Sequence, residues 1–290
     1  MSIATVIGLG LIGGSVARCL RASASYETVI GFDADHGTVD KALELGVIDK
    51  AAVSQKDALA GASLVVLATP PRVAEVLLPQ LLQVLSEDAV VTDVASVKGT
   101  MVAAAGGASN FVPGHPIAGS ERSGVEAAQA DLFRDHRVIL TPLPETSVTA
   151  LHTVHAMWDA AGAEVVTLDV AAHDAILAAT SHLPHMLAYA LVDALSKSEL
   201  SDDIFRFAAG GFRDFTRIAS SDPMMWRDVA LANRDELLAA IDTFGQHLDA
   251  LRAAIAAADG TALERCFTEA RQARESFIAG QSVRTHSRTG

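Results

Sequence analysis

The 290 residues are enough for one large domain or two of ordinary size, and with 50% of them apolar a sizeable core is assured. A formal net charge of −13 argues against nucleic acid or an anionic membrane surface as partner, and makes any local cluster of arginines informative. The two cysteines, Cys19 and Cys266, form neither a disulfide framework nor a metal-ligand pattern, which points to a reducing cytoplasm.

The apolar N-terminus "MSIATVIGLGLIGGSVARCL" lacks a basic leading region and is interrupted by glycines and Arg18, so it reads as strand, turn and helix, not as a signal peptide. Ile3–Ile7 is the first strand and a helix opens at Gly13. Thr28–Phe32, Leu64–Ala68, Ala89–Thr92 and Val138–Leu140 are further short strands separated by helical segments. This alternation predicts an α/β domain with a mostly parallel sheet covered on both faces. From Asp169 onward the pattern is helical throughout. Leu238, Ile241, Phe244, Leu248, Leu251 and Ile255 form one apolar face, the expected seam of a homodimer. The predicted organisation is a nucleotide-binding domain over 1–169, an all-α dimerisation domain over 170–280 and a polar, flexible tail over 281–290. No run of about 18 or more apolar residues suggests a membrane span.

Gly8-Leu9-Gly10-Leu11-Ile12-Gly13 has the G-x-G-x-x-G spacing, and it follows a strand and opens a helix, the context a dinucleotide-binding turn requires. Gly8 serves the tight turn, Gly10 the approach of a pyrophosphate and Gly13 the packing of helix on strand. Asp33 ends the second strand, where a carboxylate accepts the adenosine ribose hydroxyls, and Ala34 rather than an arginine follows it. NAD is therefore expected over NADP. Thr69 and Pro70, after the Leu64–Ala68 run, are further candidate cofactor contacts.

Three later stretches carry chemistry. "VPGHPIAGSE" (112–121) has the composition of a stiff loop, and holds His115 beyond the short Phe111–Val112 run, on the ligand side of an open sheet. A neutral imidazole there can accept a proton from a substrate hydroxyl. "TSHLPH" places His182 and His185 on one helix face, with Pro184 expected to kink the helix; a metal needs three or four ligands, and the usual spacing supplies no third, so no metal is expected. "GGFRDFTRIASSDPMMWRD" carries Arg213 and Arg217 one turn apart, either a carboxylate clamp or a surface ion-pair helix.

Taken together, "GLGLIGGS", "DVASVKG", "GHPIAGSE", "TSHLPH" and "GGFRDFTRIASSDPMMW" resemble the prephenate/arogenate dehydrogenase family of tyrosine biosynthesis, in order from Ile3 to about Phe277. The resemblance implies a Rossmann domain joined to an all-helical dimerisation domain, and NAD(P)-dependent oxidation of a cyclohexadienol with loss of CO2. It implies His115 as the catalytic histidine, Ser96 as the serine orienting it near the nicotinamide, and Arg217 as the arginine binding a substrate carboxylate. It further implies His185 facing the substrate side chain, Glu121 at the site entrance and Trp226 near the site from the partner subunit; His182, on the same helix face as His185, is a further candidate substrate contact. Neither a fused mutase nor an appended regulatory domain is expected. Two other readings stay open: a dehydrogenase of the 3-hydroxyacid type, which needs a lysine that Asp169–Ser196 lacks, and a non-catalytic NAD-binding sensor, which has no need of His115, Ser96 and Arg217 together.

Overall fold

In chain order the computed structural model runs β1 (Ile3–Ile7), α1 (Leu11–Ser23), β2 (Thr28–Phe32), α2 (His36–Glu44), β3 (Lys50–Ala51), α3 (Gln55–Leu59), β4 (Ala62–Leu67), α4 (Pro71–Val84), β5 (Val90–Asp93), α5 (Gly99–Ala105), β6 (Phe111–Val112), β7 (Gly114–Pro116), β8 (Arg137–Leu140), α6 (Val148–Ala160) and β9 (Glu164–Thr167). Among the described residues helices alone follow: α7 (Val170–Leu177), α8 (Leu183–Ser196), α9 (Ser201–Arg206), α10 (Gly210–Thr216), α11 (Pro223–Ala232), α12 (Arg234–Ala256) and α13 (Gly260–His286). The structure describes residues 2–119 and 122–286, without the side chains of 280–286. Glu121 and residues 287–290 of the expected tail lie outside the described residues, while α13 takes in the tail's first six positions.

The first six strands form one parallel sheet in the order β3-β2-β1-β4-β5-β6. Ile7, Leu64, Val65, Val66 and Leu67 are essentially unexposed, as continuous apolar strands must be when helices cover both faces. The order reverses between β1 and β4, which opens a crevice at their carboxyl ends. This is the Rossmann arrangement. A second sheet, β7-β8-β9, pairs β7 antiparallel and β9 parallel to β8.

His115 lies in β7, opposite Ile139, and not in the loop its neighbours' composition suggests. The strand tolerates Pro116 because β7 is an edge strand, where a missing N–H breaks no ladder on the open side. Gly114 is closely packed: a Cβ there would sit 3.0 Å from the Asp93 carbonyl oxygen and 3.3 Å from Thr92 Oγ1, tighter than most side chains come.

Pro184 was expected to kink the helix; what precedes it is an irregular turn. Between α7 and α8 the helix widens into a π turn over Ala178–His182, and Pro184 sits at the start of α8, where its lack of an N–H costs little. The combined run Val170–Ser196 is long and apolar enough to cross a bilayer by composition, yet it buries His173, Asp174 and His182 against polar partners.

The chain divides into two compact units, Met1–Leu237 and Leu238–Gly290, so α7 to α11 belong with the sheets. In the second unit the seam residues Leu238, Ile241, Phe244, Leu248 and Ile255 of α12 are all exposed, as are Phe267 and Phe277 of α13. An apolar surface of that kind on a single chain marks an association site.

Candidate active site

The glycine turn joins β1 to α1. Gly8 has φ +93°, and a Cβ on it would come within 2.6 Å of the Ala68 backbone; a Cβ on Gly13 would lie 1.9 Å from the Gly8 carbonyl oxygen. Gly10 meets nothing within 4 Å, which leaves room for a ligand to approach the backbone. The N-terminus of α1 has no side-chain cap, so its first-turn N–H groups and dipole are available to an anion. Leu9 N–H donates to Asp33 Oδ2 at 2.8 Å and Asp35 N–H to Asp33 Oδ1 at 3.0 Å. The carboxylate thus fixes the turn and keeps lone pairs for ribose hydroxyls. At the end of β4 the Thr69 hydroxyl is buried without a partner among the described residues, and Pro70 precedes α4. These features fit a dinucleotide.

The backbone of His115 is braced from β5. Asp93 Oδ1 accepts from Gly114 N–H at 3.1 Å, and Asp93 Oδ2 accepts from Ala95 N–H at 2.9 Å and from Lys98 Nζ. Lys98 Nζ also donates to the Gly114 carbonyl oxygen at 2.6 Å. Both ionic side chains are fully buried. Burial draws the Lys98 pKa down, and Asp93 opposes that shift. Removing either partner would strand a buried charge, a change that typically costs about 3–5 kcal/mol.

The His115 ring is held from α7. Its Nδ1 lies 2.9 Å from His173 Nε2, and His173 Nδ1 lies 2.7 Å from Asp174 Oδ1. Ser96, on the half-buried loop after β5, makes no hydrogen bond to His115 among the described residues; the hydrogen-bond contact observed for the ring is with His173. Burial, with Lys98, His173 and His182 nearby, holds the His115 pKa well below the usual histidine value, so the ring is neutral at pH 7.

His182 and His185 flank Trp226. The His185 ring stacks on it at 3.5 Å between centroids, and His182 meets its edge at 6.0 Å. Trp226, expected from a partner subunit, therefore packs on histidines of its own chain. Asn233 Nδ2 donates to His182 Nδ1 at 3.0 Å, which leaves the proton of the neutral ring on Nε2. That N–H and Trp226 Nε1–H are buried donors without partners among the described residues. Burial lowers the His182 pKa to about 4, against the pull of Asp174. His185 is lowered too, by burial first, with the positive charge of Arg217 adding to the effect. Arg217 thus stands beside the Trp226 cluster, at the start of a short 3-10 turn after α10. Arg213 is exposed and forms no ion pair among the described residues.

Lys98, His173, Asp174 and Asn233 were not among the expected site residues. A signal existed for two of them: His173 and Asp174 are adjacent ionisable residues inside an otherwise apolar helical run.

Comparison with known proteins gives a consistent result. A family profile described as prephenate dehydrogenase, nucleotide-binding domain, matches residues 16–167, and one described as prephenate dehydrogenase, dimerization domain, matches 169–269. The chain is 37% identical to the cyclohexadienyl dehydrogenase of Zymomonas mobilis over 96% of its own length and 97% of the relative's. A solved prephenate dehydrogenase of A. aeolicus, in complex with hydroxyphenyl propionate and NAD+, superimposes with a TM-score of 0.89 at 38% identity, covering 96% of this chain and 98% of that one. Arogenate dehydrogenase of Synechocystis gives a TM-score of 0.82 at 31% identity, covering 95% and 99%.

Proposed function

The chain belongs to the prephenate dehydrogenase family, and on that footing we propose that it oxidises prephenate, arogenate or both with loss of CO2, in tyrosine biosynthesis. The observation that carries this reading is the neutral His115 imidazole, held by ring and backbone just past the end of β6 and with no partner for Nε2 among the described residues.

The residues of the glycine turn, Asp33, Thr69 and Pro70 would hold NAD+, which supplies the hydride acceptor. As hydride leaves the hydroxyl-bearing ring carbon, the oxygen becomes carbonyl-like and its proton acidic. His115 Nε2 takes that proton, an interaction stronger in the transition state than in the ground state. The carbon–carboxylate bond then breaks, CO2 departs, and its electron pair completes the aromatic ring while His115 returns the proton to the phenolic oxygen. Arg217 would grip the substrate's other carboxylate. His182 Nε2–H, His185 and Trp226 Nε1–H would line its side chain, and Ser96 would stand near the nicotinamide. Glu121 is proposed at the entrance from the family resemblance alone. Cys19 and Cys266 are both free, which supports a cytoplasmic setting.

The test is steady-state kinetics with prephenate and arogenate, each with NAD and NADP. Because Asp33 would meet a 2′-phosphate with like charge, kcat/KM with NAD should exceed that with NADP at least tenfold, about 1.4 kcal/mol. No turnover of either substrate would reject the reading, and equal use of the two cofactors would reject the role of Asp33.

We also propose a homodimer built on α12 and α13. Light scattering at micromolar concentration should give the mass of two chains, and Leu248→Glu, which charges the exposed seam, should lower it toward one. A wild-type monomer would contradict this.

A further inference from the structure

The mechanism needs one ring nitrogen of His115 bare and the other protonated, and a neutral imidazole has two tautomers. The network around α7 contains enough polarity to choose between them. Asp174 Oδ1 accepts the Lys98 backbone N–H at 2.9 Å, and Oδ2 accepts the Gly99 backbone N–H at 2.8 Å. Those N–H groups open α5, whose first turn has no side-chain cap of its own. Burial raises the Asp174 pKa, but the hydrogen bonds from His173, Lys98 N–H and Gly99 N–H outweigh it and hold the group below the usual carboxylate range. It is therefore ionised, and a carboxylate only accepts.

Polarity then propagates outward. Because Asp174 Oδ1 accepts, His173 Nδ1 is the donor at 2.7 Å. A His173 ring that carries a single proton, the one Asp174 holds on Nδ1, has a lone pair on Nε2. Only one proton fits in the 2.9 Å between His173 Nε2 and His115 Nδ1, so that proton belongs to His115. His115 Nε2 is left bare.

We infer that Asp174 and His173 are positioning residues that set the tautomer of His115, so that Nδ1 carries the proton and Nε2 faces the substrate as a lone pair. The inference rests on the reading of His115 as the base. It assigns His173 a chemical part beyond filling space: it must accept from His115 Nδ1. His173 is wholly unexposed and its ring meets His115 edge-on at 5.1 Å, so a steric role alone would be satisfied by an apolar side chain of similar size.

That difference makes the test. His173→Leu keeps volume and removes the acceptor, and His173→Gln keeps volume and offers an amide oxygen to His115 Nδ1–H. We expect His173→Leu to lose roughly 100-fold in kcat, the low end of a general-base loss, with KM and NAD affinity within about threefold of wild type. His173→Gln should recover at least tenfold of that loss, about 1.4 kcal/mol. Nitrogen-15 NMR of histidine-labelled protein should show His115 protonated on Nδ1 in wild type and mixed tautomers in His173→Leu. Equal kcat in the Leu and Gln variants would overturn the proposal and leave His115 as base untouched; a wild-type His115 protonated on Nε2 would overturn the proposal together with the assignment of Nε2 as the proton acceptor. An active His115→Asn enzyme would instead remove the functional reading, and this proposal with it.

Discussion

His115→Asn should keep the fold and NAD binding and lose about 10²- to 10⁴-fold in kcat, the usual range for removing a general base. Asn fits the space between Gly114 and Pro116, and the braces to the Gly114 N–H and carbonyl are backbone contacts that survive the change. What disappears is the nitrogen that takes the substrate proton. The pH profile supplies a second readout. The groups that bear on the ring are Lys98 and Asp93 from the β5–α5 segment, His173 and Asp174 from α7, and His182 from the π turn. Burial and the nearby Lys98 charge depress the His115 pKa, so the base stays neutral, and active, to a pH below the ordinary histidine value. The acid limb of kcat/KM should lie below about 6.5, the unperturbed value, and should be missing in His115→Asn. A variant within threefold of wild type in kcat would remove His115 from the mechanism.

Arg217→Ala should raise KM for prephenate or arogenate at least tenfold and leave NAD affinity unchanged. The arginine stands where its charge is felt by His185, beside the Trp226 stack, and a charge-assisted hydrogen bond is worth roughly 1.5–3 kcal/mol. Arg217→Lys should restore only part of the loss, because an ammonium cannot make the bidentate fork. Arg213 is the control: it is exposed and unpaired among the described residues, so Arg213→Ala should leave KM nearly unchanged. A KM that barely moves in Arg217→Ala, or moves more in Arg213→Ala, would place the anion site elsewhere.

The cofactor half of the site was legible because its determinants are local. A strand, a glycine turn, a helix and a carboxylate at the next strand's end are all fixed by residues close in sequence, and β1, α1 and β2 formed where the pattern placed them. The Rossmann sheet and the all-helical stretch after β9 followed from periodicity for the same reason.

The catalytic half was legible in its residue types but not in its wiring. His115 looked like a loop residue because the strand it joins is defined by pairing with β8, well downstream in sequence. Lys98 meets Asp174 across 76 positions and His115 meets His173 across 58, and no spacing rule reaches that far. The resemblance named Ser96 as the group orienting His115, whereas the contact observed runs through His173. Pro184 did announce a break in the helix. That the break is a π turn, carrying His182 to Asn233 and Trp226, depends on packing rather than on the proline alone.

The central claim is that hydride leaves the hydroxyl-bearing ring carbon for NAD+ while His115 takes the hydroxyl proton. The most direct test uses substrate carrying deuterium on that carbon. The account predicts a slower chemical step, deuterium recovered in the reduced nicotinamide, and CO2 released in equal amount. Deuterium lost to water, or CO2 released without reduction of the cofactor, would contradict it.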